Sequence, residues 1–88
     1  MNYESNNRKP DINYPCTWFY KIIGTSVDEM IIAVEEIVVG LEYEITPSNL
    51  SSNGKYISLN LKVFVPSEIM RDLIFQKLDD HSSIKFVL

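Results

Sequence analysis

The clearest pattern along the chain is an alternation of aliphatic with polar or aromatic residues between Lys55 and Val65. Because successive side chains of a strand point to opposite faces, this pattern predicts a strand with one dry face and one face open to solvent. The dry set is Ile57, Leu59, Leu61, Val63 and Val65; the open set is Tyr56, Ser58, Asn60, Lys62 and Phe64.

A second strand is predicted from Cys16 to Ile23, where aromatic and β-branched residues suit a pleated surface. Lys21 marks one of its faces as the wetter one, and Gly24 ends the strand. The dry set is Trp18, Tyr20 and Ile22; the open set is Phe19, Lys21 and Ile23.

The first helix is predicted to begin at Ser26, since Ser26 and Glu29 have the spacing of a capping box. Apolar residues then recur at intervals of three and four, which is typical of a helix with one buried stripe. Gly40 is the predicted C-cap. The stripe consists of Val27, Met30, Ile31, Val34, Ile37, Val38 and Leu41.

The second helix is predicted to begin after Ser67, which is a favourable N-cap residue, and to end near Asp79 and Asp80. Its predicted inner stripe is Met70, Leu73, Ile74 and Leu78, flanked by Ile69 and Phe75.

Two weaker strands complete the pattern. One runs from Glu42 to Leu50 and is broken at Pro47, which predicts an edge strand because proline lacks a backbone donor. A turn follows over residues 51–54, where Asn-Gly favours a hairpin. The other strand runs from Ile84 to Leu88.

The element order is therefore β-α-β-β-α-β. Two right-handed crossovers joined by a hairpin predict an α+β, ferredoxin-like two-layer sandwich. Its four-stranded antiparallel sheet has the predicted order 4-1-3-2, with both helices on the dry face. In a chain of 88 residues we expect a flexible polar tail over 1–13 and a single domain over 14–88.

Charge narrows the classes of partner. The formal net charge is −4 and the pI about 4.8, and the basic residues are scattered among acids. This balance disfavours nucleic acid and anionic membranes, since both require a basic surface. No apolar run has the length of a membrane span or the form of a signal peptide, so we expect a cytoplasmic protein.

No catalytic or metal-binding constellation is readable in the sequence. Cys16 is the single cysteine, so it has no partner for an internal disulfide and no cysteine–histidine cluster for zinc. His81 beside Asp79 and Asp80 is interpreted as a solvated helix end. We expect no cofactor and no enzymatic activity.

Several segments resemble the YbeD-like family, small bacterial proteins of unknown function whose fold is similar to that of ACT regulatory domains. The resemblance covers residues 14–88 and departs from the family pattern in a longer tail and an inserted Leu50. The matching segments are Tyr14-Pro15-Cys16, Tyr20 to Gly24, Pro47-Ser48, Ser51 to Ser58 and Ile84 to Leu88.

The resemblance implies a non-catalytic binding or regulatory module. ACT domains bind small effectors such as amino acids where two subunits meet, beside a glycine after the first strand. Here that position is Gly24, followed by Thr25 and Ser26, which makes these three residues the predicted site for a small-molecule effector.

Two other surfaces are candidate sites. An open sheet face with large apolar residues favours self-association or an unknown protein partner. The predicted hairpin tip carries polar side chains that could contact an anionic group or a partner. A protein-interaction adaptor is thus the alternative function, and a nucleic-acid binder a weaker one. The predicted face residues are Phe19, Lys21, Ile23, Tyr56, Ser58, Lys62 and Phe64; those of the tip are Ser52, Asn53, Gly54 and Lys55.

Overall fold

The computed structural model describes residues 12–48 and 54–88 and confirms the predicted order of elements. The three elements of the first half are β1 (Cys16–Gly24), α1 (Val27–Ile37) and β2 (Tyr43–Pro47). The three of the second half are β3 (Ile57–Val65), α2 (Glu68–Asp80) and β4 (Phe86–Val87).

The four strands form one antiparallel sheet in the order β2-β3-β1-β4, which is the predicted order read from the other edge. Its centre is the pairing of β1 with β3, which runs without interruption from Cys16 opposite Val65 to Gly24 opposite Ile57. β2 lies at one edge, as the proline at position 47 predicts.

The dry face of the sheet packs against both helices and forms the core. Leu59 and Leu61 are 6% and 0% exposed, which confirms the one-sided sheet. In α1 the buried positions are Met30, Ala33 and Val34, so the predicted stripe is correct at two of them and omitted the small Ala33. The two central strands contribute Tyr20, Ile22, Leu59, Leu61, Val63 and Val65 to the core.

Serine side chains begin both helices at the predicted positions. The Ser26 hydroxyl accepts a hydrogen bond from the Glu29 backbone N–H at 3.3 Å, and the Ser67 hydroxyl accepts one from Met70 at 3.1 Å. The predicted C-cap at Gly40 is wrong. Helix α1 ends earlier and is capped by Val38, whereas Gly40 has a φ of 84° in the following turn.

The outer strands are shorter than predicted. β2 ends at Pro47, and β4 contains only Phe86 and Val87. Near the start of β4 the Lys85 N–H bonds to the Ile23 carbonyl at 2.7 Å, although Ile23 lies opposite Phe86 in the register. Such an offset interrupts the regular pairing of the two strands. The alternation of residue types in the sequence does not reveal it.

Leu73 is the clearest error in the predicted core. It is 43% exposed, whereas Ile74 and Leu78 of the same helix are 1% and 0% exposed. A turn of 100° per residue carries Leu73 away from the sheet and into a groove between α2 and α1, where Ile37 also lies.

The predicted tail and the predicted hairpin tip lie partly outside the residues that the structure describes. Of the predicted tail, Ile12 and Asn13 are described and are exposed; residues 1–11 lie outside the described ranges. Of the predicted hairpin tip, Ser52 and Asn53 lie outside them as well, while Gly54 and Lys55 are exposed.

Candidate functional site

The open sheet face is the surface of the sheet opposite the helices. It carries three strongly exposed aromatic rings, since Phe19, Phe64 and Phe86 are 66%, 45% and 53% exposed. The register assigns these positions to it: Thr17, Phe19, Lys21, Ile23, Glu44, Thr46, Ser58, Asn60, Lys62, Phe64 and Phe86.

The aromatic rings of the central strands lie near one another. Phe19 of β1 stands opposite Lys62 of β3, and Phe64 is two residues further along β3. Phe19 and Phe64 are therefore diagonal neighbours, close enough for one partner group to contact both rings. The predicted placement of these side chains on one face is confirmed.

Two lysine side chains of the open sheet face have polar partners. The Lys62 ammonium lies 2.9 Å from a Glu44 carboxylate oxygen, and the Lys21 ammonium donates a hydrogen bond to the Ser48 hydroxyl at 3.1 Å. Both members of the Lys62–Glu44 pair are about half exposed, so the pair adds little to stability. The Lys62 charge is therefore compensated, whereas the neutral hydroxyl of Ser48 does not cancel the charge of Lys21.

A second aromatic group lies where the hairpin meets β4. The rings of Tyr56 and Phe86 pack edge to face with centroids 6.0 Å apart, and the Lys55 ammonium lies 5.5 Å from the Tyr56 ring centre. Sequence reasoning missed Phe86 as a face residue. Its orientation depends on its pairing with Ile23, which no local pattern near the chain end indicates.

Ser58 differs from the expectation for a polar contact residue. It lies on the open sheet face opposite Ile23 but is only 8% exposed. Within the described residues its hydroxyl is buried without a hydrogen-bond partner. A buried unpaired hydroxyl is unusual in folded proteins.

The predicted effector site after β1 is tightly packed. Gly24 is buried, and a Cβ atom there would lie 2.8 Å from both the Met30 sulfur and the Ser83 carbonyl oxygen. Close packing therefore accounts for glycine at this position without a ligand. The Ser26 hydroxyl is occupied by the cap of α1, and Thr25 is exposed. An effector at this position stays a prediction.

On the helix side, Arg71 contacts several side chains, some of them from other parts of the fold. The Arg71 guanidinium lies 4.5 Å from the centre of the Trp18 ring, donates to the Tyr14 hydroxyl at 2.9 Å and pairs with Asp72 at 3.0 Å. The Tyr20 hydroxyl donates to the Arg71 carbonyl at 2.7 Å. Burial raises the pKa of Tyr20 to about 12, although the charge of Arg71 acts in the opposite direction.

This arginine cluster was missed because its members are distant in sequence. Tyr14 and Arg71 are separated by 57 positions, so neither spacing nor periodicity connects them. Beside the cluster lies an open groove of about 300 Å³, with Trp18, Phe75 and Leu88 among its lining residues.

His81 links the two helices. Its Nε2 atom lies 3.4 Å from a Glu36 carboxylate oxygen, and its Nδ1 atom accepts the Ser83 backbone N–H at 3.0 Å. Among residues 12–48 and 54–88, no three histidine, cysteine or carboxylate side chains are grouped to hold a metal ion. No helix in these ranges is both long and apolar enough to cross a membrane.

Comparison with known proteins identifies the family. The model of a protein family of unknown function, DUF493, matches residues 9–88. A UPF0250 protein of Hahella chejuensis is 32% identical over 89 residues, covering 97% of this chain and 98% of its own. The chain therefore belongs to this family, and the resemblance noted in the sequence is confirmed.

Two further relatives support this assignment. A protein of Campylobacter jejuni is 42% identical over 81 residues, with 92% of this chain and 91% of that protein covered. The solution structure of HP0495 from Helicobacter pylori has a TM-score of 0.81 at 30% identity, covering 100% of this chain and 97% of that one. The similarity confirms the fold.

Proposed function

We propose that this member of the family is a non-catalytic binding module that recognises a protein partner on its open sheet face. The observation that carries the proposal is the exposure of Phe19, Phe64 and Phe86 on one side of the sheet. Aromatic residues are enriched at the centres of protein interfaces, because they bury a large area and lose little rotamer freedom.

The polar surroundings of these rings suit a protein partner. Lys62 and Glu44 form an exposed pair next to Phe19, which would stand at the rim of an interface. Polar rims around apolar centres are typical of such surfaces. A nucleic acid is less suitable, because Lys62 is already compensated and the whole chain has a net charge of −4.

The experiment compares two variants of the full chain as baits in a lysate of the source cell. The face variant combines Lys62→Glu with Phe64→Ala. The control is Ile69→Ala, which truncates a 79% exposed apolar residue on the helix layer. Proteins recovered by the wild type and the control but lost with the face variant are purified, and the dissociation constant of each variant is measured.

We expect the face variant to bind the purified partner at least tenfold more weakly, since central aromatic residues often contribute more than 1.4 kcal/mol. Amide chemical shifts of Phe19, Lys62 and Phe64 should move on titration. Equal affinity of a folded face variant and the wild type would contradict the proposal.

A small effector bound at Gly24, Thr25 and Ser26 is the second candidate function, supported by the exposed Thr25 next to the start of α1. The acidic Asp28 and Glu29 in the first turn weaken it for anionic ligands. A thermal-shift screen across the amino acids tests it: binding would raise the melting temperature, and no shift at millimolar ligand would count against it.

A further inference from the structure

One part of strand β1 lacks a neighbour within the described residues. β4 pairs with β1 only at Ile22 and Ile23. The last backbone hydrogen bonds between them join Lys21 and Leu88, at 3.1 and 2.8 Å. The segment from Cys16 to Tyr20 therefore has β3 on one side and no described strand on the other.

The unpaired backbone groups of this segment can be assigned. Lys21 and Ile23 direct their backbone hydrogen bonds toward β4. Alternate residues of a strand direct these groups to the same side, so the N–H and C=O groups of Thr17 and Phe19 point to the same open edge. No residue in 12–48 or 54–88 forms a hydrogen bond with them.

The two edges of the sheet differ in the features that oppose strand pairing. Pro47 removes a donor from the outer strand β2, and Glu42 and Glu44 add negative charge beside it. The five residues from Cys16 to Tyr20 are all uncharged and include no proline. Proteins ordinarily protect free edges with charge or proline, so an unprotected edge favours pairing with another strand.

We propose that the segment Cys16–Tyr20 pairs antiparallel with the same segment of a second copy, about a two-fold axis at Trp18. This register joins Thr17 of each copy to Phe19 of the other through four N–H···O=C hydrogen bonds. Each donor that the edge exposes then meets an acceptor of the partner, as an isologous interface requires.

The ends of the segment agree with this register. Cys16 would stand opposite Tyr20, and Cys16 is the first residue of the strand. The position opposite Lys21 is already taken by Leu88, so a longer pairing is blocked. Within residues 12–48 and 54–88, the length of edge that no strand covers is thus the length that the two-fold register uses.

The charges beside the edge are compatible with self-association. The groove next to it is lined by Arg71 and Asp72, which carry opposite charges, and by Phe75, which is 41% exposed. A two-fold axis at Trp18 would bring the grooves of the two copies together, placing both signs of charge and both Phe75 rings near the interface. The pairing would also produce a continuous eight-stranded sheet with a doubled open face.

The expected dimer is weak. A strand pair of five residues on each side is smaller than the roughly 20–30 residues per side of a standard stable interface. We therefore expect association in the micromolar range or weaker, which requires measurement over a wide range of protein concentration.

The test measures the solution mass of the full chain by sedimentation and compares two proline variants. Thr17→Pro removes one outward donor from the proposed interface. Tyr43→Pro is the matched control on the β2 edge, where the backbone bonds of Glu42 and Ser48 to β3 leave the Tyr43 N–H pointing outward. We expect a concentration-dependent dimer for the wild type and the control, and at least a tenfold weaker dimer for Thr17→Pro.

A second measurement on the wild type does not depend on how the variants fold. Hydrogen exchange at the amides of Thr17 and Phe19 should slow as protein concentration rises, and mixed isotope labelling should show contacts between the Trp18 rings of two copies. A monomer at millimolar concentration overturns the proposal. So does an undiminished dimer in folded Thr17→Pro, or protection of these amides in a monomer, which would mean that another segment covers the edge.

The proposed dimer and the proposed partner binding can be tested independently. Lys62 and Phe64 lie outside the predicted strand pairing, so the Lys62→Glu, Phe64→Ala variant should dimerise like the wild type. Loss of partner binding with an intact dimer would support both proposals.

Discussion

At the scale of single residues, Arg71 organises the helix side of the sheet. Its side chain covers Trp18 and bonds to Tyr14, while its carbonyl accepts the Tyr20 hydroxyl. An arginine stacked on an aromatic ring retains its charge and still uses its donors, which lysine does less well. The cluster thus fixes the start of β1 against α2, next to the open strand edge.

Tyr20 should make the stability of the protein depend on pH in the alkaline range. Because burial raises the pKa of Tyr20 to about 12 from its usual 10, the folded state retains a proton that the unfolded state loses. The resulting stabilisation is complete below pH 10 and is lost as the pH rises toward 12.

Urea unfolding of the wild type and Tyr20→Phe between pH 8 and about 11.5 measures this effect. We expect the wild-type advantage, on the order of 1 kcal/mol from the hydrogen bond, to shrink above pH 10. Tyr43→Phe, at a 39% exposed tyrosine, is the control. A difference between wild type and Tyr20→Phe that stays constant with pH would contradict the assignment.

At the scale of elements, serine N-caps determine where the helices begin. Ser67 follows Pro66 and places α2 directly after the central strand β3. The capping bond to Met70 is supported by Glu68, a carboxylate in the first turn. The start of α2 therefore depends on local chemistry that the sequence displays.

Replacing Ser67 by alanine should lower the free energy of unfolding by about 1 kcal/mol, because the Met70 N–H loses its acceptor. Ser67→Asp should restore most of this loss, since aspartate is an equally good cap. Chemical denaturation of the three proteins provides the measurement. If alanine and aspartate have the same effect, the cap does not contribute as the geometry indicates.

At the scale of the whole molecule, two layers enclose one core, and the free face and free edge follow from that arrangement. Both helices cover the dry face, and no described helix covers the other face, which carries aromatic rings on its central strands. An 88-residue chain has little surface to bury, and its stability depends on the few large side chains at the centre.

Leucine-to-alanine substitutions should lower the free energy of unfolding more in the core than in the groove between the helices. Leu61 is 0% exposed, and Leu61→Ala should cost about 2–5 kcal/mol through lost burial and a cavity. Leu73 is 43% exposed, and Leu73→Ala should cost about 1 kcal/mol or less. Equilibrium unfolding in urea compares the two; equal losses would mean that the groove between the helices closes in solution.

The sequence by itself determined the architecture, because each signal for it is local. Alternation from Ile57 to Val65 specifies which side of β3 is dry, and Ser26 and Ser67 mark the helix starts. The edge position of β2 follows from Pro47. Side-chain periodicity and capping act over a few residues, so they can be read before any contact is known.

Only the tertiary structure decided the surfaces on which function depends. The exposure of Leu73, the face of Phe86 and the joining of Arg71 to Tyr14 all result from contacts between distant segments. Among the described residues, the edge of β1 beside Trp18 has no paired strand, because β4 pairs with β1 only at Ile22 and Ile23. Register between strands depends on the packing of the whole sheet, which no local pattern of residues contains.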